Sequence, residues 1–334
     1  MYIPFPVFSG RFSYRIRNFM LFTKSAVRVG IRRMTHGPKL GWDYSAELAA
    51  DFLRKQTEAS YAMPPNDGRE FSRALAFASP FPAQVHMESI HDGALRGCKF
   101  MPKENLRDVT LLFLHGGAYL YGISPAYQTM ASMLTVTMRA QTYMLDYRLA
   151  PEHPYPAALE DALAAYRALL DSGISPSKLI VCGDSAGGNL TMSLLVALRE
   201  NHLPQPALAM LLCPWVDVSN SGESMQNNAS ADWIFLDFLE KGARDFANGL
   251  DLRDPRLSPA FANFADTAPM YIQVGKNELL YDQIMTFYAR AKTNGWNVTL
   301  DEFDNAIHDL QAWGDLTASS RDALRLIAEK SAAL

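Results

Sequence analysis

The chain has 334 residues, of which 49% are hydrophobic and 20% are charged, and its formal net charge is −4. These values are close to those of average globular proteins, so we expect a large core and exclude a disordered chain. The mild charge gives no reason to expect nucleic acid as a partner. A single α/β sheet with insertions can reach this length as one domain.

Residues 11–33 carry many basic side chains and no acidic one. Phe12, Ile16 and Phe19 recur at helical spacing, which predicts an amphipathic helix. We expect this helix to pack over a catalytic domain. The alternatives are a peripheral contact with a membrane surface, favoured by the basic side chains, and a contact with a partner or with a second copy in a homodimer. The apolar runs are shorter than the roughly 20 residues that cross a bilayer.

Two further helical segments, 46–57 and 71–78, follow and are separated by breaks rich in proline and glycine. This part of the chain has no strand pattern. We therefore predict a helical cap over residues 1–83 and a catalytic domain over residues 84–334. Part of segment 217–266, where no strand is evident, is a further candidate for the cap.

Beyond residue 84, short apolar runs alternate with helical patterns, which is typical of an α/β protein. The first two runs follow each other without a helix between them. We therefore expect a mostly parallel sheet with an antiparallel edge and helices on both faces. The predicted strands are 85–90, 97–101, 109–114, 141–145, 179–182, 208–212, 270–274 and 298–303. The predicted helices are 126–139, 157–172, 186–199, 282–294 and 319–333.

The pentapeptide Gly183-Asp-Ser-Ala-Gly187 has the form G-x-S-x-G and lies between a predicted strand and a predicted helix. In this context the serine occupies a strained turn that exposes its hydroxyl, and larger side chains in place of the glycines would collide with neighbouring backbone. We therefore predict Ser185 as a nucleophile. A turn that serves only packing is the alternative. Asp184 is expected to point away from the site and to have a structural role.

A second glycine motif, His115-Gly-Gly-Ala118, follows the strand predicted over residues 109–114. Acyl transfer develops a negative charge on the carbonyl oxygen, and this charge needs backbone N–H donors. We predict these donors to be Gly116, Gly117 and Ala186. His115 is expected to anchor its loop by hydrogen bonding rather than to act as a base.

A serine hydroxyl needs a base to take its proton, and the pKa of histidine suits that role near neutrality. In α/β hydrolases the residues follow the order Ser, then Asp or Glu, then His. Only His202 and His308 follow Ser185. His202 lies in a polar helix end, whereas His308 follows a late strand, so we predict His308 as the base.

The carboxylate that orients this base is less uniquely indicated. Glu278 lies in the loop after the strand predicted over residues 270–274, and we predict it as the third member of the triad. Asp282 is the alternative, although we expect it to cap the following helix. Glu152 and His153 lie among prolines and are interpreted as scaffold rather than as an acid–base pair.

The substrate pocket is only weakly indicated by the sequence. Trp215, Phe235 and Leu236 flank the irregular segment and are predicted to contact substrate, as are Met225 and Trp233 with less support. The cap offers further aromatic candidates in Phe12, Phe19 and Phe22. Ordinary core packing is the alternative for each of them.

Three motifs in this order resemble the hormone-sensitive-lipase family of α/β hydrolases. They are the His115–Ala118 motif, the run Tyr147-Arg-Leu-Ala-Pro-Glu-His-Pro-Tyr-Pro-Ala-Ala-Leu-Glu-Asp161, and Gly183-Asp-Ser-Ala-Gly-Gly188. The resemblance covers about residues 84–330 and implies the α/β-hydrolase fold. It also implies a carboxylesterase that acts on short- or medium-chain esters with no metal and no organic cofactor.

The same resemblance implies that the acidic member lies in a G-x-x-[DE]-x-L-x-D segment, which here is Gly275-Lys-Asn-Glu-Leu-Leu-Tyr-Asp282. Many relatives have Asp in place of Glu278 and Gly in place of Asn305. Glu278 matches a subgroup that resembles terpene-lactone hydrolases. A lactone hydrolase is therefore an alternative function, and a non-catalytic small-molecule receptor is a remote one.

The three cysteines, Cys98, Cys182 and Cys213, are widely spaced and odd in number. They form neither a disulfide framework nor a metal motif, which indicates a reducing compartment and hence a cytoplasmic location. The expected partner is a small-molecule ester or lactone.

Overall fold

The computed structural model describes residues 6–334. Its strands are β1 Pro6–Phe8, β2 Leu75–Phe77, β3 Val85–Asp92, β4 Leu95–Pro102, β5 Thr110–Leu114, β6 Gln141–Leu145, β7 Leu179–Asp184, β8 Leu208–Leu212, β9 Met270–Gly275 and β10 Val298–Phe303. Its α-helices are α1 Phe12–His36, α2 Tyr44–Tyr61, α3 Pro65–Arg73, α4 Pro125–Met138, α5 Ala157–Asp171, α6 Ala186–Glu200, α7 Ser224–Asn227, α8 Leu236–Ala247, α9 Tyr281–Thr293 and α10 Ala318–Ala332.

Eight strands form the main sheet in the order β10-β9-β8-β7-β5-β6-β4-β3. The pairs from β10 through to β6 are parallel, and the pairs β6-β4 and β4-β3 are antiparallel. The predicted parallel sheet with an antiparallel edge is therefore confirmed. All the predicted strands are present, and each lies within two residues of its predicted bounds.

Alternate residues of the central strands face two separate cores. Leu112, Leu114 and Val181 belong to the core that α5, α6 and α9 cover. Leu111 and Phe113, on the opposite face of β5, belong to the core that α4 and α10 cover. Burial on both faces explains why β5 is an uninterrupted apolar run.

The N-terminal region differs from the expected all-helical cap. Strands β1 and β2 pair in an antiparallel two-stranded sheet, with Val7 opposite Ala76. The prediction of a helix over residues 71–78 is wrong. Helix α3 has Pro65 as its first residue and ends at Arg73, before β2 begins at Leu75. A three-residue strand is too short to produce a recognisable alternation, so the sequence pattern could not predict it.

Helix α2 is the centre of this N-terminal region. Its Phe52 is fully buried and contacts Phe8, Phe22 and Phe77 edge-on, with ring centroids 5.4–6.3 Å apart. The contacts join α1, α2 and the small sheet into one cluster. No helix among residues 6–334 is both long and apolar enough to cross a membrane.

We predict that Phe52→Ala lowers the free energy of unfolding by about 3–5 kcal/mol, because a fully buried ring is lost from this cluster. Urea denaturation followed by circular dichroism measures the change. Phe12→Ala is the matched control: Phe12 is 69% exposed, and its loss should change stability by less than about 0.5 kcal/mol. Equal losses in the two variants would contradict the prediction.

Candidate active site

Ser185 lies in the turn between β7 and α6 with φ 51° and ψ −118°, a strained backbone conformation. Its amide donates to the carbonyl of Leu212 at 2.9 Å. A Cβ at Gly187 would overlap the carbonyl of Leu114, and one at Gly183 would overlap the carbonyl of Gly187. The predicted steric requirement for both glycines is therefore confirmed.

The loop after β5 passes directly beside this turn. The Gly116 amide donates to Oδ1 of Asp184 at 2.9 Å, and the Tyr127 hydroxyl donates to Oδ2 at 3.2 Å. Asp184 thus has the structural role that was expected. The prediction of Gly116 as an oxyanion donor is wrong, because its one backbone N–H group already donates to the Asp184 carboxylate.

The next two residues of the loop are better placed to serve as donors. Gly117 and Ala118 have φ 106° and 54° and line the same cavity as Ser185. Among residues 6–334, no acceptor is found for the amides of Gly117, Ala118 and Ala186. Ala118 could not be chosen as a donor from the sequence, because an alanine with positive φ is uncommon.

His115 is fully buried and its ring is stacked on Tyr147, with centroids 4.3 Å apart. Its Nδ1 lies 2.8 Å from the carbonyl oxygen of Gly116. Burial lowers the pKa of His115 to about 4, so the ring is neutral and Nδ1–H donates. These contacts agree with the predicted structural role.

His308 and Ser185 line one cavity, and Glu278 lies behind the histidine. Nδ1 of His308 is 3.7 Å from Oε1 of Glu278, and both side chains are buried. The other carboxylate oxygen of Glu278 accepts from the Gly275 amide at 3.0 Å. Within the described part of the chain, no hydrogen bond joins the Ser185 hydroxyl to the imidazole. The three predicted residues are nevertheless gathered at the ends of β7, β9 and β10.

Asp309 is a site residue that sequence reasoning missed. Its Oδ1 lies 3.5 Å from Nε2 of His308, and its side chain lines the cavity. Burial by itself would lower the pKa of His308, but the carboxylates of Asp309, Glu278 and Asp232 raise it to about 10. Among these three carboxylates, Asp309 has the largest single effect on the pKa of the imidazole.

Asp232, in the irregular segment 217–266, was also missed. Its Oδ1 accepts from the His308 amide at 3.1 Å and its Oδ2 accepts from the Leu279 amide at 2.8 Å. Next to it, the Trp233 indole donates to the carbonyl of His308 at 2.9 Å. Asp232 and Trp233, which we call the clamp, thus hold both backbone groups of the histidine and fix it relative to the Glu278 loop.

The alternatives for the triad have other roles. Asp282 accepts from the Ser224 amide at 2.7 Å and does not cap α9, whose N-cap residue is Leu280. The predicted cap is therefore wrong. His202 is exposed just beyond α6. Glu152 forms an ion pair with Arg69 at 2.7 Å, which agrees with its interpretation as scaffold.

The cavity beside Ser185 and His308 has a volume of about 150 Å³. Its walls come from the N-terminal region, from segment 217–266 and from the loop after β10: Leu53, Gln56, Thr57, Ser60, Ser72, Trp233, Ile234, Phe238, Leu239, Ala312 and Trp313. A second cavity of about 150 Å³ shares several of these walls and extends the space towards Phe77 and Leu316.

The predicted pocket residues Trp215, Phe235 and Leu236 do not line this cavity. Trp215 is fully buried, and its indole donates to Asn220 at 2.8 Å. On α8 the helical repeat instead turns Phe238 and Leu239 inward. Trp233 is the one aromatic candidate of this segment that faces the cavity. Phe12 and Phe19 are exposed on α1, so they are not pocket residues.

Cys213, Glu278 and His308 each place one possible metal ligand within 4.8 Å of the others. Burial raises the pKa of the Cys213 thiol well above its ordinary value, which keeps it protonated. A protonated thiol is a poor ligand, and the other two residues have the geometry of a triad. The residue set fits a metal ion poorly.

The comparisons with known proteins agree with this geometry. A family model described as the alpha/beta hydrolase fold matches residues 111–312. An acetyl-hydrolase of Streptomyces hygroscopicus is 38% identical over 201 residues, which cover 60% of this chain and 67% of the relative. An ethyl acetate hydrolase of Pseudomonas putida is 29% identical over 297 residues, which cover 84% of this chain and 89% of the relative.

Two solved structures are similar over most of the chain. The esterase EstE5, soaked with p-nitrophenyl butyrate, has a TM-score of 0.76 at 32% identity and covers 84% of this chain and 97% of its own. An esterase from the bacterial hormone-sensitive lipase family has a TM-score of 0.75 at 30% identity and covers 84% of this chain and 96% of its own.

These similarities and the strained serine turn define a serine hydrolase with the α/β-hydrolase fold. The chain belongs to the hormone-sensitive-lipase family of these enzymes and is a carboxylic ester hydrolase. The finer likeness to terpene-lactone hydrolases stays a prediction.

We predict that Gly187→Ala yields protein that does not fold or that has lost the serine turn, because the methyl group would overlap the Leu114 carbonyl. Soluble yield and circular dichroism measure this. Gly173→Ala is the control for adding a methyl group, since a Cβ there meets no atom within 4 Å. Its positive φ should cost only about 1–2 kcal/mol. A folded, fully active Gly187→Ala protein would refute the steric argument.

We predict that Asp232→Asn lowers kcat about tenfold or more and leaves KM nearly unchanged, because it removes one acceptor of the clamp on His308. Steady-state kinetics with a chromogenic ester measure both constants. Asp237→Asn, at an exposed position on α8, is the matched control and should have no effect. Equal kcat values in the two variants would show that the clamp does not position the base.

Proposed function

We propose that this hydrolase cleaves short- to medium-chain carboxylic esters through an acyl-enzyme on Ser185. His308 acts as the general base, and Glu278 stabilises the imidazolium that forms. The observation that carries the proposal is that a strained turn presents the hydroxyl of Ser185 to the same cavity as His308, with a buried carboxylate behind it.

In the first step the Ser185 oxygen attacks the ester carbonyl while His308 takes the hydroxyl proton. The imidazolium then gives this proton to the alcohol oxygen as the ester C–O bond breaks. Water, deprotonated by the same histidine, attacks the acyl-enzyme and releases the acid. Ser185 regains its proton in this step, so the enzyme returns to its starting state.

The oxyanion of each tetrahedral intermediate is bound by the amides of Gly117, Ala118 and Ala186. This assignment rests on their position around Ser185 and on the use of the Gly116 amide by Asp184. Asp184 therefore acts indirectly, since it fixes the loop that carries two of the donors. One such donor typically contributes about 2.7–4 kcal/mol to transition-state stabilisation.

The walls of the cavity support a small apolar acyl or alcohol group as the ligand. Leu53, Phe238 and Leu239 supply apolar surface, whereas Asp309 places a carboxylate near the reacting atoms. The relatives named as acetyl-hydrolase and ethyl acetate hydrolase act on small acyl groups, which is consistent with this size. A chain-length series of p-nitrophenyl esters tests the preferred acyl group.

We propose that residues 6–83, the described part of the predicted 1–83 cap, act as a cap over this catalytic domain, together with the part of segment 217–266 that reaches the cavity. Support comes from α2, whose Leu53, Gln56, Thr57 and Ser60 line the cavity, and from Trp233 and Phe238 on the other side. Substrate must therefore pass between two elements that lie outside the central sheet.

We predict that Ser185→Ala abolishes hydrolysis of p-nitrophenyl butyrate, lowering kcat by about 10⁴-fold or more. A fluorophosphonate probe should label the wild-type protein and not this variant. Ser177→Ala, at an exposed position before β7, is the matched control and should retain both properties. Undiminished turnover by Ser185→Ala would refute the proposal.

We predict that Asp309→Asn shifts the acid limb of the kcat/KM profile to lower pH. The Asp309 carboxylate helps to raise the pKa of His308 to about 10, so its loss lowers that pKa. Because the base must be unprotonated, activity then begins at lower pH and increases near neutrality. Asp304→Asn, an exposed control, should leave the limb in place. A shift to higher pH in Asp309→Asn would contradict the prediction.

A further inference from the structure

Helix α1 exposes a row of large apolar side chains along one face, which we call the outer stripe; polar Thr23 interrupts it. Met34 is 81% exposed and Phe12 69% exposed, and the others are about half exposed. At roughly 100° per residue the stripe occupies an arc of about 120° and is about 33 Å long. Its members are Phe12, Ile16, Phe19, Met20, Val27, Ile31 and Met34.

The inner face of the same helix is only partly apolar: Phe22 contacts Phe52 there, beside buried polar side chains. The residues that α1 buries against the protein are Asn18, Ser25 and Val29. Within the part of the chain that the structure describes, neither polar atom of the Asn18 side chain has a hydrogen-bond partner, and the Ser25 hydroxyl has none. A helix whose outer face contacts only water normally has polar residues on that face and apolar residues towards the protein. The outer stripe is therefore the face of α1 that requires a partner.

Basic side chains border the outer stripe on both sides. Arg15 lies on one edge, and Arg17, Lys24 and Arg28 lie on the other, all exposed. Arg28 has a carboxylate, Asp51, at 3.4 Å, whereas Arg15, Arg17 and Lys24 form no ion pair with any residue of 6–334. No acidic residue occurs anywhere in α1.

This pattern identifies the chemistry of the partner. An apolar arc bordered by cations is the pattern of a helix that lies in the plane of a lipid surface, with its apolar face among the acyl chains and its cations among anionic headgroups. Pairing the stripe with that of a second copy would bring the cationic edges of both helices together, with no carboxylate on α1 to neutralise them. Charge thus favours an anionic membrane over a dimer.

We propose that α1 is a docking helix through which this protein binds the surface of an anionic bilayer. Docking would also place the cap near the lipid, because α1 is tied to α2. The Arg33 guanidinium donates to the buried carboxylate of Glu47 at 2.7 Å, and Arg32 contacts the same carboxylate. Helix α2 in turn lines the cavity with Leu53 and Gln56.

Flotation of the full chain with lipid vesicles tests the proposal. The protein should float with vesicles of phosphatidylcholine and phosphatidylglycerol, should float weakly with phosphatidylcholine alone, and should be released by high salt. The triple variant Phe12→Ser, Phe19→Ser, Met34→Ser should bind about tenfold or more weakly. Arg15→Gln with Lys24→Gln should weaken binding by about fivefold per residue.

Met87→Ser with Leu106→Ser is the matched control, because both residues are exposed and apolar but lie far from α1 in sequence. All variants should hydrolyse a water-soluble ester at the wild-type rate. A failure of the membrane proposal can therefore be distinguished from a failure of the esterase assignment. Absence of flotation, or equal flotation with neutral and anionic vesicles, would overturn the proposal. A wild-type dimer in size-exclusion chromatography that the triple variant dissociates would overturn it in favour of a second copy.

Discussion

The close contact between the serine turn and the end of β5 is the constraint on which the site depends. The backbone at Gly187 lies against the carbonyl of Leu114, and the adjacent Asp184 accepts from the amide of Gly116. The contact with Leu114 leaves no room for a side chain at position 187. The hydrogen bond to Asp184 fixes the direction of the loop after β5. Together they set the nucleophile and the amides of Gly117 and Ala118 relative to each other before any substrate binds.

The base half of the site is held by a different contact. Asp232 accepts from amides in two loops, after β9 and after β10. The Asn277 amide, which donates to the carbonyl of Ala306 at 2.9 Å, joins the same two loops. Each half of the site thus uses one buried aspartate to hold two loops together. The two aspartates bind backbone groups rather than substrate, which is why neither resembles a catalytic residue in the sequence.

Much of the fold and the core of the site could be predicted because their signals are local. The strands are apolar runs, and the turn around Ser185 has obligatory glycines with a strand before it and a helix after it. His308 could be found from chain order together with its position after a late strand, which separates it from His202. By contrast, β1 and β2 are too short to produce a pattern, and their pairing joins residues almost seventy positions apart.

The mistakes arose where one residue's role depends on a distant contact. Gly116 has the position in the motif that predicts a donor, but its amide donates to Asp184 instead. Trp215 was a reasonable pocket residue, but the direction of an aromatic ring depends on how its segment packs. Asp309 adjoins the base in sequence, yet its proximity to Nε2 follows from a left-handed backbone at that residue, which the sequence did not indicate.

The position of the clamp has a consequence for the evolution of specificity. Asp232 and Trp233 lie in the segment that also supplies cavity walls such as Phe238. Exchange of this whole segment for one without an aspartate and a tryptophan at these two positions would therefore also detach the base from its support. Substitutions at cavity walls such as Phe238, which leave these two residues in place, would alter the pocket without loosening the base.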